Sequence, residues 1–147
     1  MDEPKHIFLA DDDDDDRLLF NDALKELPDA VQLSTARDGE HLMKLLHGLT
    51  HLPDLLFLDL NMPLKNGFEC LVEIRRSEKL RPLPVVIFST TSQPSAIDEV
   101  YQNGAHLFIR KPNDFTSLKK MIQYVLSCDW KANTDQPPKE EFILDLA

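Results

Sequence analysis

Long apolar runs are missing from this chain: none approaches the ~20 residues that a membrane-spanning helix needs. Positive charge is also scarce. Lys plus Arg number 16 against 26 for Asp plus Glu, a formal net charge of -10. So acidic a chain lacks the electrostatic footprint of a nucleic-acid binder and has no attraction to anionic membranes. The two cysteines, Cys70 and Cys128, stand far apart and belong to no metal or redox motif. They are read as ordinary thiols in a reducing cytoplasm. The opening Met1-Asp2-Glu3-Pro4-Lys5 is polar, so no signal peptide is expected. Residues 5–128 contain no internal repeat and no low-complexity linker, and 147 residues suffice for one domain with its own core.

What is present is organised around Leu55-Leu56-Phe57-Leu58 and the carboxylate that follows, Asp59. A short apolar run bounded by turn signals (Pro53-Asp54 before, Met62-Pro63 and Asn66-Gly67 after) reads as a strand buried on both faces. Asp59 then falls at the strand's carboxyl end, the edge where open α/β sheets bind ligands. Alone, such an aspartate reads more readily as a turn or helix cap, by about two to one, than as a nucleophile or metal ligand. The second role requires partners from other strand ends.

Those partners are sought along the chain. His6–Ala10 reads as a first strand and runs into six aspartates, Asp11 to Asp16. Such a run is commonly a solvated segment. Here it is wedged before a helical pattern through Phe20, Ala23, Leu24 and Leu27, so the later aspartates are expected in a cap and first turn. Asp11 and Asp12 remain at the strand end. A calcium-binding EF-hand loop is excluded, because counting from Asp11 puts Asp16 where Gly is needed and Asp22 where Glu is needed. Val31–Ala36 alternates as a second strand, and a helix opened by Asp38-Gly39-Glu40 carries Leu42, Leu45, Leu46 and Leu49. Gly67–Arg76 reads as a helix with Phe68, Leu71, Val72 and Ile74 inward. Val85–Phe88 is a buried strand ending in Ser89, Thr90, Thr91 and Ser92. A helix over about 94–102 stops at Asn103-Gly104. Leu107–Ile109 is the last strand and leads to Arg110-Lys111-Pro112; a last helix, capped near Asp114, follows with a complete apolar stripe from Leu118 to Leu126.

Five strands alternating with helices predict an α/β fold: a doubly wound, five-stranded parallel sheet with helices on both faces and all carboxyl ends on one edge. That edge gathers Asp11, Asp12, Asp59, Ser89 and Lys111. Clustered carboxylates need a cation, and oxygen ligands suit Mg²⁺. A lysine and a serine hydroxyl can hold phosphoryl oxygens, and a carboxylate can attack phosphorus.

These pieces resemble the receiver domain of two-component response regulators. The matching residues are Phe8-Leu9-Ala10-Asp11-Asp12, Leu58-Asp59-Leu60-Asn61-Met62-Pro63 with Gly67, Ser89-Thr90, and Lys111-Pro112. The resemblance covers residues 5–128 and implies a flavodoxin-like, CheY-like strand order 2-1-3-4-5. It implies that Asp59 is the phosphoacceptor and that Asp11, Asp12, Asp59 and the backbone carbonyl of Asn61 hold Mg²⁺, with Asp12 the more direct ligand. Ser89 and Phe108 become the switch pair, Lys111 the phosphate-sensing lysine, and the Lys111–Pro112 bond cis. Phe108 lacks the hydroxyl of the tyrosine often found at its position, and Thr90 replaces a common alanine, narrowing access.

The expected function is a cytoplasmic phosphorylation switch in two-component signal transduction, not an enzyme acting on other substrates. Its phosphoryl donor is expected to be a sensor histidine kinase, phytochrome-type kinases included, or a phosphotransfer protein. Two other readings stand beside it. An aspartyl-phosphate phosphatase usually has a second Asp two residues after the nucleophile, where this chain has Asn61. An interaction module independent of phosphorylation would more typically lack one member of the set. Residues 129–147 form an extension too short for an output domain. Trp130 and Phe142-Ile143-Leu144 in it read equally as a docking or homodimer surface and as a segment that folds back.

Overall fold

The computed structural model describes residues 5–91, 93–130 and 136–144. Ser92 of the hydroxyl run and residues 131–135 and 145–147 of the extension lie outside them. Strands β1 (Lys5–Ala10), β2 (Val31–Ala36), β3 (Leu55–Leu58), β4 (Val85–Ser89) and β5 (Leu107–Arg110) alternate with helices α1 (Asp14–Lys25), α2 (Gly39–His47), α3 (Gly67–Arg76), α4 (Pro94–Gln102) and α5 (Phe115–Ser127). A helical turn α6 (Lys139–Phe142) and a two-residue strand β6 (Ile143–Leu144) follow.

The sheet has six strands in the order β2-β1-β3-β4-β5-β6, every pairing parallel. The first five follow the expected order; the sixth corrects the expectation of five. An unpaired β5 would leave a row of backbone donors and acceptors open, and β6 covers it, setting Ile143 opposite Phe108 and Leu144 opposite Ile109. Phe142 is fully buried and Trp130 packs against the core, so these described parts of the extension fold back on their own domain, while Ile143 stays 49% exposed. Among the described residues no helix is long and apolar enough to cross a membrane.

Strand alternation divides the core in two. Phe8, Leu56, Leu58, Ile87 and Phe108 face α2, α3 and α4, together with Phe142. Ile7, Leu9, Phe57, Phe88 and Ile109 face α1 and α5. Both faces of β3 and β4 are covered, which is why these strands read as continuous apolar runs.

Helix α3 is turned slightly from the expected face. Its buried residues are Gly67, Cys70, Leu71 and Ile74, while Phe68 and Val72 are half-buried. Small residues lie where the backbone comes close. A Cβ on Gly67 would stand 2.2 Å from the Asp59 carbonyl oxygen, and Cys70 Sγ lies 3.7 Å from the Gly39 carbonyl oxygen. The Lys111–Pro112 bond is trans, as no cis peptide occurs in the described chain. This corrects the cis expectation and follows the ordinary preference of X-Pro bonds.

Candidate functional site

Strand order reverses between β1 and β3, and the crevice outside their carboxyl ends is the expected ligand position of a doubly wound sheet. The backbone sets two carboxylates there. Asp11 N–H donates to the Ala36 carbonyl (3.0 Å), continuing the β1–β2 ladder by one residue. Asp59 N–H donates to the Ala10 carbonyl (3.0 Å), continuing β3 along β1. Asp11 is fully buried, Asp59 is 5% exposed, and Asp12 faces solvent. One oxygen from each of the three lies within 4.8 Å of the others.

The rest of the aspartate run builds the helix start. Asp13 is the N-cap of α1 and accepts from Asp16 N–H, with Asp14, Asp15 and Asp16 in the first turn. The loop after Asp59 is held by Gly67 N–H on the Leu60 carbonyl (3.0 Å) and by a full capping box between Asn66 and Glu69. Within it Leu64 adopts a left-handed φ of 67° while 73% exposed.

Lys111 closes the site from the end of β5. Its amide donates to the Ser89 carbonyl (2.9 Å), and its Nζ lies 2.8 Å from Asp11 Oδ2 and 3.1 Å from Asp59 Oδ2. A third carboxylate, Asp16, also reaches Nζ at 2.9 Å. Burial alone would lower the Lys111 pKa, but these carboxylates outweigh it and hold the ammonium above its ordinary value. For Asp11, burial is the larger influence. It pushes the carboxyl up to about 6 against the pull of Lys111. Asp11 Oδ2 is buried and, apart from its ion pair with Lys111, meets no hydrogen-bond donor.

Three hard oxygen donors, one of them a buried oxygen with no partner but Lys111, suit a small divalent cation better than a second ammonium. The structure thus brings together Asp11, Asp12, Asp59 and Lys111. Asn61 N–H points at Asp59 Oδ1 (3.4 Å). Ser89 is buried at the end of β4, its Oγ accepting from Thr91 N–H (3.4 Å), and the neighbouring Thr90 is exposed. Phe108 sits away from the carboxylates in the core below α4, its ring 6.5 Å from that of Phe142.

Comparison with known proteins agrees with this geometry. The family model described as response regulator receiver domain matches residues 7–123. The response regulator Rcp1 of Synechocystis sp. (strain PCC 6803) is 31% identical, covering 84% of this chain and 88% of Rcp1. The probable methanogenesis regulatory protein FilR2 of Methanothrix harundinacea is 30% identical, with 84% and 82% covered. Among solved structures, the phosphorylated cyanobacterial phytochrome response regulator RcpA superposes with a TM-score of 0.78 at 31% identity, over 84% of this chain and 91% of RcpA. The Mn²⁺-bound form of Rcp1 gives 0.77 at 30% identity, over 92% and 100%.

Proposed function

The chain belongs to the response regulator receiver family of two-component systems, and we propose that it is a phosphorylation switch whose phosphoryl acceptor is Asp59. The observation that carries the reading is the buried Asp59 carboxylate, grouped with Asp11 and Asp12 and 3.1 Å from the Lys111 ammonium. Residues 5–128 act as the receiver and 129–147 as its extension. The donor is a phosphohistidine on a kinase, one of the phytochrome type included, or on a phosphotransfer protein in the cytoplasm.

A carboxylate oxygen of Asp59 attacks phosphorus. The P–N bond to the donor imidazole, protonated at its other ring nitrogen, breaks as the P–O bond forms, and the imidazole leaves as the neutral ring. Asp11, Asp12, Asp59 and the Asn61 carbonyl would hold Mg²⁺, which neutralises charge on the phosphoryl oxygens. Lys111, whose ammonium lies 3.1 Å from Asp59, supplies a second positive charge. Ser89, whose Oγ accepts from Thr91 N–H, then donates its hydroxyl proton to a phosphoryl oxygen, and the β4–α4 loop follows. Phe108, packed on Phe142, couples that shift to α4, β5 and α5 together with the extension that covers the β5 edge, and a partner or a second copy of the chain binds the outer surface these present. The chain catalyses only its own phosphorylation and dephosphorylation.

Borohydride trapping tests the assignment, since it reduces an aspartyl phosphate to homoserine. After reaction with a phosphorylated donor, peptide mapping should find homoserine at position 59. Homoserine at Asp11 or Asp12 instead would overturn the assignment.

A further inference from the structure

Lys111 holds three carboxylates, and one of them has no place among the metal-binding candidates. Asp11 and Asp59 belong to the trio around the candidate cation position; Asp16 does not. Asp16 is the third residue of α1. A carboxylate there ordinarily turns back to accept the N-cap amide, as the second half of a capping box. Helix α3 of this protein shows the complete arrangement: Asn66 accepts from Glu69 N–H, and Glu69 Oε1 accepts from Asn66 N–H (3.0 Å). In α1 only the first half forms. Asp13 accepts from Asp16 N–H (3.0 Å), but Asp13 N–H donates to Asp11 Oδ1 (3.0 Å). Asp11 has taken the return role, and the Asp16 carboxylate turns into the site to meet Lys111 at 2.9 Å.

We propose that Asp16 is a positioning residue for phosphoryl transfer: it anchors the Lys111 ammonium beside Asp59 while the other two carboxylates are engaged by a divalent cation. The inference rests on the reading of Asp59 as acceptor and Lys111 as its phosphate-binding partner. Without a cation, Lys111 is balanced by Asp11, Asp16 and Asp59 together. A cation among Asp11, Asp12 and Asp59 cancels the pull of two of these and repels the ammonium. Lysine is a point charge on a flexible stem, and without an anion it swings to solvent. Asp16 is the one carboxylate holding Lys111 among the described residues that stays outside the trio. It keeps Nζ in place until the phosphoryl oxygens arrive and supply their own charge.

The test compares full-length wild type, Asp16→Asn, Lys111→Ala and the double variant, phosphorylated by acetyl phosphate with Mg²⁺. Asp16→Asn should slow phosphorylation by about tenfold, the scale of a loosened electrostatic clamp, and should slow the Lys111→Ala protein no further. Equal slowing in both backgrounds, or none in either, overturns the proposal. A fall in thermal midpoint without rate coupling marks Asp16 as a helix-cap residue only and also overturns it. A second readout needs no transfer. In NMR spectra with Mg²⁺, the Lys111 ammonium protons should exchange slowly in wild type and rapidly in Asp16→Asn. Rapid exchange in wild type, or slow exchange in both, contradicts the anchor. If wild type takes no phosphoryl group, the Asp59 reading fails, and the ammonium exchange still decides the case for Asp16.

Discussion

The Phe142 ring packs 6.5 Å from the Phe108 ring at an angle of 52°, and it meets Tyr101 edge-on at 4.9 Å. The extension therefore reaches one half of the core through Phe142, while Trp130 packs against the other half and donates its Nε1–H to the Val125 carbonyl (2.9 Å). Around Phe142, Tyr101 Oη donates to the Pro137 carbonyl (2.9 Å), Gln136 Nε2 donates to the Ala105 carbonyl (2.7 Å), and Lys139 pairs with Asp98. Cutting a buried Phe to Ala in a core costs about 3–5 kcal/mol. Here the loss is capped, because residues 136–144 can detach while the five-stranded receiver stays folded. Phe142→Ala should lower the thermal midpoint modestly and abolish amide protection at Ile143 and Leu144, read by hydrogen exchange. Retained protection there would show that the strand pairing holds the tail without the ring.

Asp11 gives the protein a pH dependence of definite sign. Its carboxyl titrates near 6 when folded, pushed up chiefly by burial, against about 3.9 in an unfolded chain. Between those values the folded state binds more protons, so this group's contribution to stability declines as pH rises through the window. At pH 7 ionised Asp11 costs about 1–2 kcal/mol, after allowance for solvent screening. Asp11→Asn should stabilise the metal-free protein by that amount at pH 7 and by nothing near pH 4. Denaturant titrations at the two pH values check this, and destabilisation at pH 7 would contradict it.

Leu64 carries the reverse kind of cost. A β-carbon in the left-handed region loses about 1 kcal/mol, and asparagine tolerates that region better. The Leu64 side chain is 73% exposed, so little packing is lost with it. Leu64→Asn should raise stability by about 0.5–1 kcal/mol in denaturant unfolding. A fall would mean that the leucine makes a stabilising contact outweighing the strain of φ 67°.

Gly67 is needed for a different reason, the close approach of α3 to the Asp59 loop. A Cβ would meet the Asp59 carbonyl oxygen at 2.2 Å and the Leu60 Cα at 2.8 Å, both backbone atoms that cannot step aside. Gly67→Ala should cost about 3 kcal/mol or more and disturb the position of Asp59. Circular dichroism melts measure the first effect and phosphorylation rates the second. A variant as stable as wild type would show that α3 can slide.

Much of this was legible because the physics is local. Leu55–Leu58 and Val85–Phe88 are apolar throughout since both faces of the sheet are covered. Parallel connections of one hand bring Asp11, Asp59, Ser89 and Lys111 to one edge without any knowledge of side-chain positions. The misses are of another kind. Strand β6 has two residues, too few for a period, and is fixed only by the open edge of β5. Hydrophobic patterning favoured Phe68 and Val72 in α3, whereas the helix is rotated to bring Gly67 and Cys70 against backbone. Beyond Asp11 and Asp12, which the strand end places, the remaining aspartates of the run carry no mark of which one turns inward. The choice of Asp16 follows from Asp11 occupying the Asp13 amide and from Lys111, which lies 95 positions along the chain.

The central claim, Mg²⁺-dependent phosphoryl acceptance on Asp59, is tested most directly by intact-protein mass after incubation with acetyl phosphate and Mg²⁺. The account predicts gain of one labile phosphoryl group, absent in Asp59→Asn and absent with EDTA. No gain under any condition, or a gain that survives Asp59→Asn, would contradict it.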